Sequence, residues 1–193
     1  MAIGAVIGLG YVGLPLLVHM AESGHTVVGI DVNKDKVEAI LAGNFALERD
    51  YGRRAAKLIK DGRVLVTTDF DGLTKADFIS VCVPTPLDSM KTPDLTFVQA
   101  ATHEIARRLR PGQAVVLEST TYPGTTSDLV RPILEQSGLK VGVDFFLGFS
   151  PDNLQHPACS SYLKVELEPA AQEPRQFRGA EQLSPPRGEA YYY

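Results

Sequence analysis

Apolar residues along this chain fall into short β-branched runs, each followed by a segment of helical period. Ile3–Ile7 reads as a strand and Gly13–Glu22 as a helix, with Pro15 placed early, where its missing N–H costs little. The pattern then predicts a strand over Thr26–Ile30, entered through Ser23-Gly24, and a helix over Lys36–Leu41, opened by Asn33 and Asp35 and stopped near Gly43. A helix around Arg53–Lys60, ended by Asp61-Gly62, leads to a strand over Val64–Thr67. In the second half, "FISVCV" (Phe78–Val83) is a continuous apolar run of the kind buried on both faces of a parallel sheet, and it stops at Pro84-Thr85-Pro86. A helix over Phe97–Leu109, a strand over Ala114–Leu117, a helix over Thr125–Gln136 and a strand over Phe145–Phe149 complete the series. Strands alternating with crossover helices predict an α/β fold, a doubly wound six-stranded parallel sheet of the Rossmann type.

The rhythm fails after Pro151. From Asn153 onward the chain is rich in Pro, Gln, Ser, Glu and Arg, and only "YLKVELE" (Tyr162–Glu168) alternates. Such a composition cannot bury enough apolar surface to offset its ordering entropy, so one domain over residues 1–152 and an irregular, disordered tail over residues 153–193 are expected. Length agrees, since 193 residues suit one domain of ordinary size with a tail.

Composition narrows the chemistry. With 44% apolar and 22% charged residues the chain is in the globular range, and its formal charge of −4 argues against a nucleic-acid binder that works by phosphate neutralisation. Two cysteines, Cys82 and Cys159, make neither a disulfide framework nor a zinc site with the four histidines, so no metal is expected. Cys82, inside an apolar strand, reads as a small buried hydrophobe, and Cys159 as an incidental thiol. The apolar N-terminal stretch lacks the basic flank of a signal peptide, so a cytoplasmic protein without a membrane anchor is expected.

Gly8, Gly10 and Gly13 form G-x-G-x-x-G between a predicted strand and a predicted helix. Gly8 suits a tight turn, Gly10 lets the backbone approach a pyrophosphate, and Gly13 lets helix pack on strand, with phosphates at the positive helix end. Asp31 closes the second strand, where a carboxylate can accept from ribose hydroxyls and would repel the 2′-phosphate of NADP, so the pattern points to NAD. Lys34 reads as a solvated helix-start cation, whereas Lys36 could approach the adenosine end. Thr85 sits between two prolines at the carboxyl edge of the sheet, as a ligand contact or as part of a rigid loop. The same edge receives "ESTTYPGTT" (Glu118–Thr126), a hydroxyl cluster that helix capping by Thr125 or Thr126 explains only in part. Arg107, Arg108 and Arg110 read as a solvated helix end.

Taken together, "GLGYVGLPL", "DVNKDKV", "VCVPTPLD", "PDL", "ESTTYPGTT" and "SGLKVGVDFFLGFSP" resemble the UDP-glucose/GDP-mannose dehydrogenase family, most closely its UDP-N-acetylhexosamine 6-dehydrogenase branch. The resemblance runs from Ile3 to Pro151 and implies an NAD-binding domain. Family members oxidise the C6 hydroxyl of a nucleotide sugar, here a UDP-sugar, to a carboxylate with two NAD⁺ per sugar, and the products feed surface polysaccharides. By position, the resemblance gives Gly8, Gly10 and Gly13, with the amides of Tyr11 and Val12, to the pyrophosphate. It gives Asp31 and Lys36 to the adenosine ribose, Thr85 to the nicotinamide side, and Thr120 to the catalytic edge, where it holds a water or the substrate oxygen.

The sequence also departs from the family pattern. Members continue with Ser-Pro-Glu, whose glutamate takes part in the reaction, then with a central helix that pairs subunits and a second domain with the nucleophilic cysteine. Here Ser150-Pro151-Asp152-Asn153 puts an acid one methylene shorter at that place, and no residue matches the later motifs. The resemblance therefore implies the NAD-binding half of such an enzyme, inactive alone and without the dimerisation helix, as a truncated or frame-shifted reading frame would give. Two alternatives stay open: half of a hydroxyacid-type dehydrogenase, and a non-catalytic NAD-binding module that works through a partner.

Overall fold

A computed structural model describes residues 2–45, 49–87 and 92–150. Its sheet contains β1 (Ile3–Ile7), β2 (Thr26–Ile30), β3 (Val64–Thr67), β4 (Phe78–Val81), β5 (Ala114–Leu117) and β6 (Phe146–Phe149), in the order β3-β2-β1-β4-β5-β6. Every neighbouring pair is parallel. The predicted doubly wound sheet is thus observed, and its order reverses between β1 and β4, the switch point at which such sheets open a crevice.

Alternation of side chains along the strands builds two cores, one per face. Ala5 and Ile7 of β1 join Val28, Ile30, Ile79, Val81, Val115 and Leu117 on one face, while Val6 joins Val27, Val64 and Val66 on the other. The first face is covered by α4 (Thr96–Ala106) through Val98, Ala101 and Ile105, and the second by α1 (Gly13–Glu22) through Leu14, Leu17, Val18 and Ala21. Against α1 packs α3 (Arg49–Lys60), and against α3 and β3 packs α2 (Lys34–Leu41), with Val37, Ile40, Ala55 and Leu58 buried. Each fully buried Leu, Ile or Val contributes about 1.5–3 kcal/mol against exposure, which is what holds the strand ends in place for the site.

Departures from the predicted elements have local causes. Helix α2 starts two residues early because the Asn33 side-chain oxygen accepts from the Lys36 amide at 3.1 Å and caps the turn. Strand β4 ends at Val81; Cys82 still donates its amide to Ile7 O at 2.8 Å, and the prolines beyond have none to donate. Helix α4 is shorter than the predicted Phe97–Leu109. The predicted helix over Thr125–Gln136 divides into a π-helical turn (Thr125–Val130), α5 (Arg131–Leu134) and a 3₁₀ turn (Glu135–Ser137). Pro132, in the first turn of α5, supplies no N–H to a regular ladder and clashes with the turn before it. A 3₁₀ turn over Asp71–Lys75 carries no periodic signal; Arg110 and Gln113 tie its last carbonyls, with Arg110 Nη2 to Ala76 O at 2.7 Å and Gln113 Nε2 to Leu73 O at 2.8 Å. Of the arginines expected to form a solvated helix end, Arg107 is exposed as expected, whereas Arg110 is engaged in this cap and Arg108 pairs with Asp71 and Glu104. Asp152, at the end of the predicted domain, and the predicted tail with Cys159 lie outside the described residues.

Sheet register sets the functional edge. Ile7, Val81 and Leu117 stand side by side at the strand ends, so the next residues, Gly8, Cys82 and Glu118, emerge together at the carboxyl edge. Gly8 donates its amide to Ile30 O at 2.8 Å and Glu118 to Val81 O at 2.9 Å, which prolongs the ladder one step into the loops.

Candidate cofactor cleft

A cavity of about 320 Å³ opens at this edge, between the β1–α1 turn and the segments after β4 and β5. Of the residues proposed from sequence, Gly8, Gly10, Tyr11, Val12, Lys36, Thr85 and Thr120 line it. Gly13 packs beneath the turn, and Asp31 stands behind Lys36. Asp152 lies outside the described residues.

Each glycine of the turn has its own structural reason. Gly8 has φ +91°, and a Cβ there would meet Cys82 O at 2.6 Å. At Gly13 a Cβ would sit 1.8 Å from Gly8 O, so only glycine lets α1 start this close to β1. Gly10 differs: a Cβ there would have no protein atom within 4 Å, and the residue borders the cavity. Its missing side chain therefore leaves space for something outside the chain. Helix α1 begins beside it with no side-chain cap and no acidic residue in its first turn, and although the Leu14 amide turns back to Gly10 O at 3.1 Å, the positive end of the helix remains open to an anion. An uncapped helix end, a vacant Cβ position at Gly10 and an adjoining cation fit the pyrophosphate of a dinucleotide.

Asp31 is 5% exposed and already engaged. Its Oδ2 accepts from the Leu9 amide at 2.9 Å and from Lys36 Nζ at 2.6 Å, and its Oδ1 accepts from the Asn33 amide at 3.0 Å. The carboxylate thus braces the glycine turn from below and holds the lysine. Lys36, with 27% of its side chain exposed, is the member of the pair that borders the cavity. Lys34 is exposed, as expected.

On the opposite wall, Thr85 donates its hydroxyl to Thr120 O at 2.8 Å and so ties the Pro-Thr-Pro segment to the loop after β5. Ser119 is 6% exposed and donates to Val83 O at 2.7 Å, a second tie between the same segments. Thr120 is exposed on the cavity wall. Capping by Thr125 or Thr126 does not occur: Gly124, at φ +93°, precedes the π-helical turn, and Thr125 donates back to Tyr122 O at 2.8 Å. A residue the sequence reading left without a role is Glu118, which lines the cavity within 3.4 Å of Ser80 Oγ. Its signal was its position, the first residue after an apolar strand at the ligand edge. Cys82 is buried as expected, yet its strand-end position also brings it to the cavity wall.

A larger hollow of about 390 Å³, bordered by Pro93, Thr96, Gln99 and Tyr122, contains none of the residues proposed from sequence. No helix among the described residues is long and apolar enough to cross a membrane, and no group of His, Cys, Asp and Glu among them could hold a metal ion.

Comparison with known proteins gives this geometry a family. Residues 1–161 match the NAD-binding domain of the UDP-glucose/GDP-mannose dehydrogenase family. The chain is 41% identical over 152 residues to UDP-N-acetyl-D-glucosamine 6-dehydrogenase of Pseudomonas aeruginosa, covering 78% of this chain and 35% of that protein. It is 35% identical over 151 residues to UDP-N-acetyl-D-mannosamine dehydrogenase of Pyrococcus horikoshii, with 78% and 36% covered. Among solved structures, GDP-mannose dehydrogenase of Pseudomonas aeruginosa in a ternary complex superposes with a TM-score of 0.75 at 33% identity, covering 82% of this chain and 38% of that one. The chain therefore spans about a third of the length of these relatives. With a glycine turn, a switch-point cleft and a matched domain in agreement, this chain belongs to the UDP-glucose/GDP-mannose dehydrogenase family and carries its NAD-binding domain.

Proposed function

We propose that this chain is the NAD-binding half of a cytoplasmic nucleotide-sugar 6-dehydrogenase, which oxidises the C6 hydroxyl of a UDP-sugar to a carboxylate. The observation that carries the reading is the convergence of the glycine turn, Lys36, Thr85 and Thr120 on one cleft at the switch point. NAD⁺ bound there supplies the hydride acceptor. The amides of Tyr11 and Val12, with the α1 end behind them, bind its pyrophosphate, and Gly10 leaves room for the approach. Lys36, oriented by Asp31, faces the adenosine ribose. Thr85 and Ser119 fix the nicotinamide wall, and the exposed Thr120 hydroxyl orients a water or the substrate oxygen. Asp152 follows in sequence at the place of the family's acid. Among the described residues the one cysteine is Cys82, a buried strand-end thiol that packs in the apolar core beneath the turn, and we assign it no part in the covalent stage of a four-electron oxidation. Sugar positioning and that covalent stage are assigned to a second half, so this chain holds the cofactor without completing the reaction.

Calorimetric titration with NAD⁺ and NADP⁺, followed by an NADH-formation assay with UDP-N-acetylhexosamines, tests the proposal. Saturable binding of NAD⁺, weaker binding of NADP⁺ and no NADH formation are expected. Absence of NAD⁺ binding to the folded chain, or turnover by the chain alone, would contradict it.

A further inference from the structure

The cavity has a polarity along its length. Among the described residues that line it, Lys36 is the one cation and Glu118 the one carboxylate, and they stand on opposite walls. Lys36 belongs to the β1–β3 half, with the helix end that suits phosphates. Glu118 follows β5, level with Gly8 and Cys82, and Ser80, itself 2% exposed, directs its hydroxyl toward Oε1 at 3.4 Å. Glu118 adjoins Ser119 and Thr120, whose backbone is tied to the Pro-Thr-Pro segment. Its carboxylate is thus fixed at the β4–β5 end of the cleft.

A doubly wound sheet seats one mononucleotide on each side of its switch point. With the adenosine on the Lys36 side, the nicotinamide falls on the side of Thr85, Glu118 and Thr120. The nicotinamide ring carries a positive charge when oxidised and none when reduced. We infer that Glu118 is a redox-state selector: its carboxylate at the nicotinamide end makes the site hold NAD⁺ more tightly than NADH. The chemical consequence suits an enzyme that uses two cofactor molecules per sugar, because a spent cofactor held less tightly leaves room for the next oxidised one. This assignment rests on the cofactor orientation proposed above and adds a residue to which the sequence reading gave no role.

Glu118→Gln keeps the shape of the side chain and removes its charge, and Glu118→Asp draws the charge back by one methylene. NAD⁺ and NADH are titrated separately into the full chain and both variants, by calorimetry and by NADH fluorescence, after circular dichroism has established that each variant is folded. Glu118→Gln is expected to lower the NAD⁺ affinity about three- to tenfold while NADH affinity changes less than about twofold, with Glu118→Asp between the two. A ratio of the two dissociation constants that stays within about twofold of wild type in both variants would overturn the inference and leave the cofactor proposal standing. Failure of the wild-type chain to bind either nucleotide would overturn both.

Discussion

Gly8 and Gly10, with Gly13 packed beneath them, shape one wall of the cleft through their backbone, whereas the wall after β4 and β5 carries the side chains of Thr85, Glu118, Ser119 and Thr120. The first wall is set by sterics. Its turn packs so closely that a Cβ added at Gly13 would lie 1.8 Å from Gly8 O, and it is braced by a carboxylate with three donors. The second is set by hydrogen bonds between loops, each of which contributes about 0.5–1.5 kcal/mol. A wall built by exclusion tolerates almost no substitution, while one built from polar ties can change its chemistry residue by residue.

The largest effect that would break the comparison comes from the turn. Gly13→Ala forces a Cβ into Gly8 O, and destabilisation of about 3 kcal/mol or more is expected, with a melting temperature lower by roughly 6–12 °C. Next is Asp31→Ala, which strands the Leu9 and Asn33 amides and releases Lys36; loss of about 1–3 kcal/mol and weaker NAD⁺ binding are expected by chemical denaturation and titration. Thr85→Val sharpens the contrast from the other wall. Loss of its bond to Thr120 O should lower stability by about 0.5–1.5 kcal/mol in urea unfolding.

The smallest effect lies away from the cleft, where Arg54 pairs with Glu22 and packs over the Tyr51 ring at 4.8 Å, joining α3 to α1. The hydrogen bond from Arg54 holds the Glu22 carboxyl below its ordinary value of 4.5. A depressed carboxylate contributes stability above its unfolded value and loses it as pH falls through the folded one. Glu22→Gln should therefore lower stability slightly at neutral pH, by no more than an exposed ion pair contributes, and the two proteins should converge as pH falls below about 4.5, as urea unfolding across pH would record.

How much could be read from the sequence follows the same division. The strands β1, β2, β3 and β5 and helix α1 were legible to the residue, because apolar runs bounded by glycine turns leave few alternatives. The glycine turn was legible for the same reason: its glycines answer to sterics that the spacing encodes. Helix Thr125–Gln136 was not, because Pro132 changes the hydrogen-bond register within an apolar period that looks continuous. Nor was the pairing of Arg110 with carbonyls about 35 residues earlier in the chain, or of His19 with Tyr51 at 3.2 Å, since neither carries a local pattern. At the site, Asp31 was legible as a residue but not as a brace. The Leu9 amide it accepts lies 22 positions away, and only the strand register brings the two together. Glu118 shows the same limit, since its importance depends on the alignment of Leu117 with Val81 and Ile7.

Gly10 separates the architectural from the functional use of the turn most directly, because a Cβ there touches nothing in the protein. The measurement is thermal melting of the wild-type chain and Gly10→Ala, each with and without NAD⁺. Without ligand the two should melt within about 2–4 °C of each other, the difference that 1 kcal/mol makes in a domain of this size. NAD⁺ at about 100 times its dissociation constant should add about 2.7 kcal/mol, several degrees, to the wild type and little to the variant. Equal shifts in both would mean that the cofactor does not lie against the glycine turn, and no shift in a cooperatively melting wild type would mean that the turn is architecture alone.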